Sequence, residues 1–221
     1  MKVLVACEES QVVTIEFRAR GHEAYSCDIL NPSGNHPEWH IKEDVLPLLN
    51  GSCNFKTMDG VEHHVEGKWD MIIGFPPCTY LSNAGACRLY PRKGQLDMER
   101  YERGLEAKEF FLSILNADCD KVAVENPVSS KGFEMPKHTQ EIQPWMFGHP
   151  VTKKTRLWLR GLPELEATNI VEPKAPYCPA GTSRKNISKY GKASRKGSDA
   201  VQRAKTFLGI AKAMAEQWSK D

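Results

Sequence analysis

Apolar residues fall along this chain in two patterns, short unbroken runs and longer stretches of helical period. Lys2–Ala6 is a short apolar run suited to a parallel strand buried on both faces. Gln11–Arg20 follows as a helix, with Val12, Val13, Ile15, Phe17 and Ala19 in a partly amphipathic arrangement, Ser10 placed to cap its start and Gly21 to end it. His22–Ile29 reads as a second strand whose last polar residue is Asp28. Strand, helix and strand in that order predict a right-handed crossover and a parallel pair. Further on, Trp69–Phe75 is a buried strand stopped by Pro76-Pro77, and Lys121–Glu125 is another, ended by Asn126-Pro127. Between them Leu96–Asn116 is the longest helical stretch, with Leu105, Phe110, Phe111, Leu112, Ile114 and Leu115 available to a core. Thr155–Leu159 reads as a late strand and Asp199–Trp218 as a terminal helix. The intervening segments are polar: a loop at Asn31–His40, an inserted hairpin over 51–67 turning at Asp59-Gly60, and a Gly-containing loop at Leu81–Gly94. Gly161–Gly197, with eight Gly or Pro residues, is read as irregular. The alternation predicts an α/β fold, a doubly wound, mostly parallel sheet with ligands at the carboxyl ends of its strands.

Composition narrows this picture. A chain of 221 residues suits one domain spanning 1–221, with 163–198 as a reduced, basic appendage. No apolar run reaches the roughly 18 residues of a membrane span, and the N-terminus lacks a secretory signal. The seven cysteines are scattered without CxxC pairs, so a reduced, cytoplasmic protein is expected. Net charge is only +2. Its distribution is uneven: Arg184, Lys185, Lys189, Lys192, Arg195, Lys196, Arg203 and Lys205 face a single acid, Asp199, in one stretch. Neither His36 with His40, nor Cys53 with His63 and His64, supplies four ligands at zinc spacing, so no metal is expected.

Three polar features fall where predicted strands end: Asp28, Pro76-Pro77-Cys78 and Glu125-Asn126-Pro127. Taken singly, each has a plain structural explanation. A cysteine after a strand is more often an inert core residue, and a Glu-Asn-Pro turn can satisfy backbone groups. Together they place a thiol, held in a stiff double-proline turn, and a carboxyl group along one sheet edge.

The run Gly74-Phe75-Pro76-Pro77-Cys78-Thr79-Tyr80-Leu81-Ser82-Asn83-Ala84-Gly85 resembles the nucleophile loop of the cytosine-carbon-5 DNA methyltransferases. Glu125-Asn126-Pro127 resembles their Glu-Asn motif, Lys154-Thr155-Arg156-Leu157-Trp158 their later basic strand, and the stretch around Gly209–Ala215 their C-terminal helix. The chain is most similar to the short forms found in phages and prophages. The resemblance implies a methyltransferase fold, S-adenosylmethionine as cofactor and cytosine-containing DNA as partner, acting as a monomer or weak homodimer in the cytoplasm of a bacterial host. It implies Cys78 as the nucleophile on ring carbon 6, Glu125 as the contact to ring nitrogen 3, and Arg156 as an anchor of the base. For the cofactor it implies the first loop (Cys7, Glu8, Ser10, Gln11), Asp28 for the ribose, Asp44 for the adenine amine, and Pro76. For nucleic acid it implies Ser82, Lys153, Lys154 and the basic run Arg184, Lys185, Lys189, Lys192, Arg195 and Lys196, with Tyr190 placed to stack on a base.

The chain departs from that family in three places. Its first loop, Ala6-Cys7-Glu8-Glu9-Ser10-Gln11, has no glycine where backbone approaches cofactor. Thr79 replaces the usual Gln, and only about 163–198 is left for target recognition. Two other readings therefore stay open: a non-catalytic nucleic-acid or partner-binding protein on the same scaffold, and the same chemistry on RNA or nucleotides.

Overall fold

A computed structural model of the protein describes residues 1–92, 94–177 and 204–220. In chain order its strands are β1 (Lys2–Ala6), β2 (Glu23–Cys27), β3 (His40–Ile41), β4 (Cys53–Lys56), β5 (Glu62–Val65), β6 (Met71–Gly74), β7 (Val122–Pro127), β8 (Gln140–Ile142), β9 (Val151–Thr152), β10 (Thr155–Arg160) and β11 (Ala175–Pro176). Its α-helices are α1 (Val12–Arg18), α2 (Ala86–Leu89), α3 (Met98–Leu115) and α4 (Leu208–Gln217).

The apolar run of β1 lies in a seven-stranded sheet of order β3-β2-β1-β6-β7-β10-β8. β3, β2, β1, β6 and β7 run parallel, while β10 is antiparallel to both β7 and β8. Alternate residues of a strand point to opposite faces, and the core divides accordingly. Leu4 and Ala6 join Ile72, Val124 and Trp158 with Phe111 and Ile114 of α3. Val3 and Val5 join Ile73 and Ala123 with Val13 and Phe17 of α1 and Ala213 and Met214 of α4. Helices thus cover both faces, which makes the sheet doubly wound. Each large apolar side chain removed from water in this way stabilises the fold by about 1.5–3 kcal/mol. Helix α3 sits so close to β6 that a Cβ on Gly74 would stand 2.6 Å from Ile114 Cγ2.

The winding direction fixes where a ligand fits. From β1 the chain moves outward to β2 and β3, then returns across β1 to β6 and β7. The reversal lies between β1 and β6, and open α/β sheets bind ligands in the crevice at the carboxyl ends of such a pair. Phe75 N–H donates to the Ala6 carbonyl there at 2.9 Å. The opposite, amino edge holds both ends of the chain. Glu23 N–H donates to the Met1 carbonyl at 2.9 Å, and the His22 ring is hydrogen-bonded to Ser219 Oγ at 2.7 Å.

Several expectations need adjustment. The helix expected over Asp199–Trp218 is interrupted before Leu208, because Phe207 is extended (φ −69°, ψ 135°) and turns its ring onto His149 and Tyr177; residues 199–203 lie outside the described residues. β7 does not stop at Glu125; Asn126 and Pro127 continue it, paired in register with Arg156 and Thr155 of β10. Leu105 is 38% exposed rather than core. The hairpin β4–β5 forms as expected, with Gly60 at φ 91° in its turn and Phe55 and Val65 buried beside Tyr25 and Trp69. Among the described residues no helix is long and apolar enough to cross a membrane.

Candidate functional site at the carboxyl edge

The first loop solves its lack of glycine by strain. Cys7 (φ 59°) and Gln11 (φ 58°) both adopt the left-handed conformation that glycine takes freely. What holds them there is side-chain bonding. Glu8 is buried, and its carboxylate accepts from Val13 N–H (2.6 Å), Thr14 N–H (3.2 Å) and the Thr14 hydroxyl (2.7 Å), so it caps α1 in place of an N-cap residue. Burial pushes its carboxyl up to about 7 against those three donors. Gln11, fully buried, donates to Ser26 Oγ (3.1 Å) and the His36 carbonyl (2.9 Å) and accepts from His36 N–H (3.1 Å). Ser10 is also buried. Glu8 and Gln11 thereby fix the loop's shape with their side chains.

The ends of β1, β2 and β3 bring three of the expected cofactor residues together. The Cys7 thiol is raised well above its usual range, first by burial and then by the negative charges of Asp28 and Asp44. One oxygen of Asp28 accepts from Leu30 N–H (2.9 Å) and one of Asp44 from Leu46 N–H (3.0 Å), leaving each a second oxygen for a hydroxyl or amine. Beside Asp28, Ile29 and Leu30 are 71% and 52% exposed, an apolar surface of the kind a flat ring covers.

At the next strand ends, β6 and β7 run in register, Gly74 opposite Val124, so Phe75 and Glu125 emerge side by side. Both line a cleft closed by Lys153, Thr155, Phe207, Ile210 and Met214. Burial pushes the Glu125 carboxyl above the ordinary carboxylate range, while the Lys153 charge and a hydrogen bond with Thr155 pull it down. Pro76 is buried, Pro77 exposed and Cys78 half-buried. The loop after Cys78 is tied to the one after Glu125: Asn83 N–H donates to the Val128 carbonyl (2.8 Å) and Ser130 N–H to the Leu81 carbonyl (2.7 Å), with Ser82 bridged to Ser129.

The other expected residues are distributed differently. Arg156 pairs with Asn126 and so lies on the α3 face, whereas Glu125 pairs with Leu157 on the α4 face. Its guanidinium donates to Glu141 of β8 at 3.0 Å, and Lys154 donates to the same carboxylate at 3.1 Å. Lys153, expected at nucleic acid, lines the Glu125 cleft, with its ammonium 5.8 Å from the Phe207 ring centre. The basic run from Arg184 to Lys196, with Tyr190, lies outside the described residues. His40 and His63, weighed as metal ligands, are bonded to Ser26 and the Leu30 carbonyl, and to Tyr25 and Thr57. Sequence reasoning passed over Phe75, Thr155, Thr206 and Phe207 in the cleft. It named Asn126 within the Glu-Asn motif but gave it no role of its own; Asn126 is fully buried with neither amide atom partnered among the described residues. Alternation along β7 beside the Glu-Asn motif was the available signal for Asn126.

Compared with protein families and with curated proteins, the sequence gives no match. Among solved structures, one with similarity is described as a DNA modification methyltransferase encoded within an E. coli prophage. It shares 13% identity and a TM-score of 0.40 over 72% of this chain and 46% of its own. This chain therefore spans less than half the length of that protein.

Proposed function

We propose that the protein is a DNA methyltransferase that moves a methyl group from S-adenosylmethionine to carbon 5 of cytosine. The observation that carries this reading is the delivery of the Cys78 loop and Glu125 to one sheet edge by neighbouring parallel strands. The two loops there are stitched together, and Glu125 lines a cleft in which burial pushes its carboxyl up against the pull of Lys153 and Thr155.

The chemistry follows from those groups. The Cys78 thiolate adds to ring carbon 6, and Glu125 in its protonated form donates to ring nitrogen 3, neutralising the charge that builds there. Carbon 5 becomes nucleophilic; S-adenosylmethionine, when bound, supplies an electrophilic methyl group to it. Loss of the carbon-5 proton to water then expels Cys78 and restores the aromatic ring. Within a duplex the base must first leave the stack, at a cost of a few kcal/mol. Asp28, Asp44 and the exposed Ile29 and Leu30 fit the cofactor's hydroxyls, amine and flat ring. Lys153 holds the electrostatic balance of Glu125.

Labelled methyl from S-adenosylmethionine is expected in 5-methylcytosine of DNA incubated with the protein, measured by mass spectrometry of nucleosides. Cys78→Ser should reduce this by at least 1,000-fold, on the order of losing a covalent nucleophile, with an unchanged unfolding curve. Methyl transfer by the variant at the wild-type rate, or none by the wild type to any cytosine-containing polymer, ends the proposal.

A further inference from the structure

Helix α3 grips the two residues that follow Cys78. Arg100 Nη2 donates to the Thr79 carbonyl at 2.8 Å, and its guanidinium carbon lies 5.0 Å from the centre of the Tyr80 ring. Arg103, one turn later, donates to the Tyr80 hydroxyl at 3.0 Å, with its own guanidinium 5.9 Å from the ring. The loop closes around Arg100 on the other side as well: a Cβ on Gly85 would stand 2.7 Å from Arg100 Nη2. Arg100 is anchored from behind, because Asp97 accepts from its backbone N–H at 2.9 Å and caps the helix.

Its charge is not spent on a carboxylate. Four of the charged or titratable groups around the loop are already committed, and Cys87, Arg88, Tyr101, Glu102, Lys131 and Glu134 lie on the same elements. Glu99 is paired with Arg103 at 2.7 Å, Asp97 with the helix backbone, Tyr80 with Arg103, and Glu125 shares its cleft with Lys153. No ion pair to Arg100 occurs among the described residues. Its Nε is buried without a partner there, an arrangement that costs stability and calls for a reason in function.

We infer that Arg100 is the positioning residue of the nucleophile: it fixes the Thr79 peptide, and with it the direction of Cys78, and it sets a positive charge beside the loop that carries the thiol. This rests on the reading of Cys78 as nucleophile. In this chain the residue after the cysteine is thus held by its backbone carbonyl, so the side chain at that position is free to be Thr79. A cation near a thiol favours the thiolate, so Arg100 acts on both the aim and the ionisation of Cys78.

The test is alkylation of the full chain by iodoacetamide across pH 5 to 10, following the Cys78 peptide by mass spectrometry, alongside methyl transfer to DNA. Arg100→Gln is expected to move the Cys78 alkylation midpoint upward by about one pH unit. It should lower kcat on the order of 10- to 100-fold with KM for DNA nearly constant. Arg100→Lys keeps the charge but not the planar fork, so its midpoint should match the wild type while kcat stays several-fold low. An unchanged midpoint in Arg100→Gln overturns the inference. Should that variant not fold, an Arg100→Lys chain with wild-type kcat does so instead. If the wild type alkylates as expected but methylates no DNA, the proposed activity fails and the role of Arg100 in setting Cys78 reactivity still stands on the alkylation curves.

Discussion

At the scale of single residues, two side chains replace what glycine does elsewhere. Glu8 and Gln11 are buried, bonded and placed to hold strained backbone at Cys7 and Gln11. Glu8 also makes stability depend on pH in an unusual direction. Its folded carboxyl sits at about 7 against 4.5 when unfolded, so the folded chain holds a proton that the unfolded chain has lost between those values. Its contribution is therefore greatest below pH 4.5 and falls as pH rises to 7, by on the order of 3 kcal/mol in full. Glu8→Gln removes this part of the slope. Urea unfolding at pH 5 and pH 8 should show the variant about 1–3 kcal/mol weaker at pH 5, from a lost acceptor at the helix start, and a smaller gap at pH 8. A gap that widens with pH would refute the account. Gly74→Ala should cost about 1–3 kcal/mol through overpacking against Ile114, read as a lower denaturant midpoint.

At the scale of elements, what could be read from the sequence followed the length of the apolar signal. β1 appears at its expected bounds, and β6, α3 and β10 within two residues or so, because each carries a run or period long enough to register. β3, two residues, and β8, three, have no such signal; hydrogen bonding to the longer β2 and β10 makes them strands, while β9 pairs with the equally short β11. The break before α4 leaves no mark on the pattern, because the apolar rhythm runs on through the extended Phe207. For the site, the strand-end residues Asp28, Cys78 and Glu125 were legible, since a sheet that ends in polar residues announces its own edge. The reversal of β10 was not: a strand's direction leaves no mark on its composition. The register of β10 sets Arg156 opposite Asn126, on the face away from Glu125 and beside Glu141, while Lys153 enters the cleft from the segment before the strand.

At the scale of the whole molecule, the sheet is held from both sides and neither side is dispensable. Helix α4 closes one core cluster with Ile210, Ala211, Met214 and Trp218, the last donating from its ring N–H to the Pro163 carbonyl at 3.0 Å. Removing residues 208–221 strips that cover from Val13, Phe17 and Ile73. Such a shortened chain should lose its cooperative thermal transition by circular dichroism, because several side chains worth about 1.5–3 kcal/mol each return to water. A sharp transition within a few degrees of the intact chain would show the cover to be ornamental. Since α4 also carries one wall of the Glu125 cleft, ligand binding should vanish with it.

Both termini lie along the amino edge, the full height of the sheet away from the strand ends that carry Asp28, Cys78 and Glu125. An affinity tag or fluorescent protein joined at either end projects from the blind side of the molecule. Among the described residues such an addition stays away from the strand ends that carry Asp28, Cys78 and Glu125, and a surface-immobilised copy presents those strand ends to solution.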